Sequence, residues 1–144
     1  MSANYNGMTF KTPLEARWAA FFDLAGWSWK VNPASVGNWS PDFFLEFPCD
    51  HSECGGSDTL LASVLPLESI EAFGAHPCTK YAYGVPRGEP ADRRNRANGS
   101  AAFGIDPSVT RWVISHGSGG GTEDLHFRVS NADDLWAQAG KLVG

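Results

Sequence analysis

The side chains best suited to chemistry fall in two short stretches, Cys49-x-His51-x2-Cys54 and His76-x-Cys78. Thiolate sulfur and imidazole nitrogen are the donors that zinc takes in closed, four-coordinate structural sites. Cys49, Cys54 and Cys78 together with His51 would complete such a site and staple two loops to each other. His76 is the alternative fourth ligand, and free buried thiols beside surface histidines are the other reading of the same residues. A second cluster is basic: Arg87, Arg93, Arg94 and Arg96 stand against only Glu89 and Asp92 in that stretch. Arg93, Arg94 and Arg96 could track a nucleic-acid backbone, or they could form a solvated loop face. A third stretch, His116 to Glu123 (HGSGGGTE), has the glycines of a phosphate loop. It lacks the G-K-S/T ending, so no lysine reaches a phosphate and a turn between two strands is expected.

Elements must bring these residues together. Thr12, Pro13 and Glu15 form a T-x-x-E capping box with proline in the first turn, and Leu14, Trp18, Phe21, Phe22 and Ala25 repeat on one helical face. Gly26 offers the left-handed stop. Trp27, Trp29 and Val31 alternate with polar residues at strand period, as do Phe43, Leu45 and Phe47 behind Pro41-Asp42. Cys49 to Asp58 reads as a loop, and Thr59 to Leu65 as an apolar strand buried on both faces. A short helix is expected from Glu68 to Phe73, and a long polar surface loop from 84 to 104. Val109 to Ser115 forms a further strand, Phe127 to Val129 a short edge strand. Asn131 then caps a final helix bearing Leu135, Trp136, Ala139 and Leu142. The order α-β-β-β-α-β-α predicts an α/β (α+β) domain over residues 1–144, a mixed sheet covered by helices. Trp18, Trp27 and Trp29 read as packing, whereas Trp39 falls in a turn and is expected to be exposed.

Composition narrows the function classes. Of the 144 residues 42% are hydrophobic and 19% charged, which excludes a disordered chain. The net charge of −5 argues against a general nucleic-acid coat. There is neither an apolar run long enough for a membrane span nor a basic-then-apolar leader, so a cytoplasmic protein is expected. Three cysteines without an export signal favour thiols or metal ligands over a disulfide framework.

A helix, then a strand opening on Pro41-Asp42, then a buried strand, resembles the PD-(D/E)xK nuclease superfamily. The resemblance implies a restriction-endonuclease-like sheet in which Asp42, and Glu15 on the preceding helix, hold Mg²⁺ against a scissile phosphate. The segments TPLEARWAAFFDLAG, SPDFF and AHPCTKYAYG are also similar to a group of small proteins of actinobacteria and their phages. Where the superfamily places an acid and a lysine on the third strand, this chain has Ser63 and Leu65. Serine brings no negative charge to a hard cation and leucine cannot orient water. The resemblance therefore implies a disabled nuclease fold that binds a nucleic acid or a host protein. The alternative is a Mg²⁺-dependent endonuclease with its acid and lysine relocated to Glu68, Glu71 or Lys80.

The zinc reading has a direct consequence. Elemental analysis of the purified chain should find about one zinc per molecule, and Cys54→Ser should destabilise it by several kcal/mol, because binding energy in such a site is folding energy. Three thiols that titrate freely under native conditions would contradict this.

Overall fold

The computed structural model describes residues 2–33, 39–48, 56–74, 76, 85–87, 92–116 and 119–143; for 85–87, 92–96, 114–116 and 119–120 it describes the backbone alone. The chain opens with a hairpin, β1 (Ala3–Tyr5) and β2 (Met8–Phe10), turned by Asn6-Gly7 at φ 51° and 77°. Two positive φ values in succession are what a tight two-residue hairpin requires, and Asn-Gly supplies them with least steric penalty. Helix α1 (Pro13–Leu24) follows, with the Glu15 amide donating to the Thr12 hydroxyl at 3.1 Å and Gly26 beyond its end at φ 79°. The expected capping residue and glycine stop are both present.

The body is a six-stranded sheet in the order β10-β9-β8-β5-β4-β3. Its strands are β3 (Ser28–Val31), β4 (Phe43–Pro48), β5 (Ser57–Val64), β8 (Gly99–Phe103), β9 (Thr110–His116) and β10 (Gly119–Glu123). Every neighbouring pair is antiparallel except β5 with β8. A separate antiparallel pair, β6 (Val85–Arg87) and β7 (Asp92–Ala97), lies in the crossover between them. Two short elements, a 3₁₀ turn (Ile70–Phe73) and α2 (Leu125–Arg128), precede the last helix, α3 (Ala132–Leu142). The protein is thus a mixed α/β fold on a mostly antiparallel sheet. Among the described residues no helix is long and apolar enough to cross a membrane.

Helices α1 and α3 cover one sheet face. Alternation sends Phe43, Leu45 and Phe47 of β4 toward them, and Trp18 sits at the centre, fully buried. Trp18 packs with its ring centroid 4.3 Å from that of Trp136 of α3, tilted, and 4.9 Å from that of Phe103 of β8, edge-on, and its indole donates to the Gly104 carbonyl at 2.9 Å. Arg17 caps the helix pair, lying 4.0 Å over the Trp136 ring and donating to its carbonyl. The opposite face carries a smaller cluster of Trp39, Leu61, Phe73, Ala102 and Val109.

Three expectations are corrected. The segment 84–104 is not one surface loop: it holds β6, β7 and the fully buried central strand β8. Its sequence, Gly-Ser-Ala-Ala-Phe, lacks the β-branched residues that mark strands, because small side chains are what fits between two packed layers. Phe127 to Val129 is not an edge strand, since Asp124 accepts from the Phe127 amide and starts α2 there; β10 forms that edge. Trp39 is 2% exposed, not open to solvent.

Candidate functional site

The start of β4, the end of β5 and the start of α1 meet at one end of the sheet around a cavity of about 380 Å³. Antiparallel register sets this meeting: Phe43 pairs with Ala62, so the residue before β4 lies beside the last residues of β5. The backbone of Asp42 is pinned from both sides, its amide donating to Ala62 O at 2.8 Å and its carbonyl accepting from the Asn32 amide at 3.0 Å. The first turn of α1 brings Glu15 over the same point, and Lys11 stands just ahead of the Thr12 cap.

Both oxygens of the Asp42 carboxylate are engaged. Oδ2 accepts from the Val64 amide at 2.8 Å, and Oδ1 accepts from the Lys11 ammonium at 2.8 Å. Lys11 Nζ lies 4.0 Å from Glu15 Oε2, outside hydrogen-bond reach. Side-chain exposure divides the trio: 62% for Lys11, 13% for Asp42 and 7% for Glu15. Burial, then the Asp42 charge, pushes the Glu15 carboxyl above its ordinary range, against the pull of Lys11. The hydrogen bond to Asp42 holds the Lys11 ammonium above the usual lysine value, in spite of desolvation.

Glu15, Asp42, Ser63 and Leu65, separated by up to fifty residues in sequence, all line this cavity. Ser63 Oγ accepts from the buried Trp39 indole at 2.8 Å, so its hydroxyl is tied into the second cluster. Leu65 is half-buried against that same cluster. His76 joins the cavity wall, where burial lowers its imidazole below the ordinary value although Asp42 pulls the other way. Glu68 and Glu71 are exposed and do not line the cavity. Lys80, Cys49, His51, Cys54 and Cys78 lie outside the described residues. Arg93, Arg94 and Arg96 fall on β7, where only the backbone is described.

Sequence reasoning missed Lys11. Its one signal was the spacing Lys11-Thr-Pro-Leu-Glu15, the i,i+4 separation that places opposite charges on neighbouring turns. A hard divalent cation wants several oxygen donors, and this set fits it poorly. One Asp42 oxygen holds a backbone amide, the other holds an ammonium, and the neighbouring Ser63 brings a hydroxyl and no negative charge. Among the described residues no group of three or more His, Cys, Asp and Glu is arranged to hold a metal. Comparison with family models, curated proteins and solved structures gives no match to the chain.

The electrostatics predict a pH effect of definite sign. A carboxyl whose folded-state pKa is raised binds its proton more tightly when folded. Its contribution to stability is complete below the unfolded value and is lost as pH rises through the folded one. Glu15→Gln removes that loss, so its melting temperature should exceed the parent's at pH 7 by ~2–4 °C, for about 1 kcal/mol. The gap should close near pH 4. A parent that gains on the variant as pH rises would contradict the assignment.

Proposed function

We propose that this chain has a restriction-endonuclease-like fold that has lost metal-dependent catalysis and serves as a binding module for a protein. The arrangement supporting the fold is a helix on one face of an antiparallel trio, β3-β4-β5, and a crossover to the parallel strand β8. The observation carrying the functional reading is the Lys11–Asp42 contact: a tethered ammonium lies where catalysis would need a metal. Phosphodiester hydrolysis needs a cation to polarise the phosphate and a positioned water, and neither Ser63 nor Leu65 supplies the chemistry that places them.

Protein is favoured over nucleic acid by charge. Two carboxylates face one ammonium in the cleft, and the whole chain carries −5, so a phosphate backbone would meet repulsion there. Zinc held by the cysteines and a histidine of segments 49–54 and 76–78 belongs to the same proposal, as a structural role.

A second reading, a Mg²⁺-dependent endonuclease with a relocated lysine, is favoured by one observation: Lys11 shares the cleft with Asp42 and Glu15. Supercoiled plasmid incubated with excess protein and Mn²⁺ or Mg²⁺ separates the two. No nicking is expected, and filter binding should show no salt-sensitive retention of DNA. Metal-dependent nicking that disappears in Asp42→Asn would overturn the non-catalytic reading in favour of the second.

A further inference from the structure

Among the described residues the cleft sets one lysine against two carboxylates. Glu15 is 5% exposed, yet among the described residues its carboxylate has no hydrogen bond, and Lys11 stops 4.0 Å short of it. A carboxylate so largely withdrawn from water and given no donor by the protein is under-satisfied, and a donor entering the cleft would relieve it. Its surroundings define what would relieve it. Leu14, Val64 and Leu65 give the cavity apolar walls, and its volume of about 380 Å³ suits a small group. A phosphate is excluded by like charge, and the oxygen set is too depleted for a hard cation.

A compact ammonium does not match the acceptors either. Lys11 itself shows this, reaching Asp42 Oδ1 at 2.8 Å but not Glu15. Both carboxylates line the cavity, and one point, Lys11 Nζ, lies 2.8 Å from Asp42 Oδ1 and 4.0 Å from Glu15 Oε2, so acceptors of two residues fall within the span of one group. A planar guanidinium carries five N–H donors in a fork and pairs with a carboxylate through two parallel bonds. Its alkyl stem would lie along the apolar wall, as long cationic side chains do.

We propose that this cleft binds an alkylguanidinium group, with Glu15 as its bidentate anchor, Asp42 Oδ1 as a second acceptor, and Lys11 as an internal competitor displaced on binding. The proposal rests on the reading of the cleft as a non-catalytic binding site. It deepens that reading by naming the chemistry recognised. Lys11 can leave because its side chain is 62% exposed and only its tip is engaged. An occupied cleft lowers apparent affinity by the fraction of molecules in which it stands open.

The full-length chain tests this by NMR titration with two probes, n-butylguanidinium and a capped Gly-Arg-Gly peptide, against n-butylammonium and Mg²⁺. Lys11→Met, a surface change that leaves the core intact, should bind at least one guanidinium probe saturably and about threefold or more tighter than the parent does. Lys11→Arg keeps a cation in place and should bind no better than the parent. Adding Glu15→Gln to Lys11→Met should weaken binding about tenfold or more, with the melting curve showing a folded chain. Tighter binding of the peptide assigns the group to a protein partner, and tighter binding of butylguanidinium assigns it to a free small molecule. No saturable guanidinium binding by Lys11→Met, binding indifferent to Glu15→Gln, or a preference for butylammonium or Mg²⁺ would each overturn the proposal. These outcomes are independent of plasmid nicking, which alone decides whether the cleft is catalytic.

Discussion

A carboxylate at the mouth of a strand can face solvent, a metal or its own chain, and in this protein Asp42 is turned to its own chain on every side. Its amide and carbonyl are bound by β5 and by Asn32, one carboxylate oxygen by the Val64 amide and the other by Lys11. The fixed side chain joins β4 to β5 beyond the last pair of the ladder. Through Lys11 it also meets the segment ahead of α1 at this end of the sheet. What Glu15, Ser63 and His76 can do follows from where that carboxylate is held.

The aromatic core keeps this geometry in place. Trp18, Phe21 and Phe22 lie on the sheet-facing side of α1, and their contacts with Phe43, Phe103 and Trp136 fix the helix in rotation and along its axis. Rotation of α1 decides whether Glu15 points into the cleft or out of it. Asp23 adds a tie at the other end of the helix, accepting from the Trp29 indole at 2.8 Å and from the Tyr5 hydroxyl. Burial and that hydrogen bond push the Tyr5 phenol up to about 12. The charged cluster is therefore placed by packing and not by its own attraction, since an exposed ion pair such as Lys11–Asp42 contributes roughly 0–1 kcal/mol.

Strong local signals made much of this legible. Thr12, Pro13 and Glu15 marked the start of α1, alternation marked β4, and the run from Thr59 to Leu65 marked the central strand, observed as Ser57–Val64. Asp42, Glu15, Ser63 and Leu65 were singled out by resemblance, and all four line one cavity. β8 was illegible because Ala and Ser pack well between layers without any period of their own. The Asn6-Gly7 hairpin carried a plain turn signal, but its three-residue strands are too short to show alternation. Lys11 looked like an ordinary surface charge, because its partner Asp42 is thirty-one residues away and only the fold brings them together. Trp39 was misread for a related reason: its partner Ser63 lies on β5, twenty-four residues away.

The central claim is that the Lys11 ammonium is held by Asp42 in the resting protein. The most direct measurement is an NMR titration of the Lys11 side-chain Nζ in the parent and in Asp42→Asn. The account predicts a Lys11 pKa above the ordinary lysine value in the parent, falling in the variant as its largest cause is removed. Identical titration curves for parent and variant would show that the ammonium does not rest on Asp42, and would contradict the account.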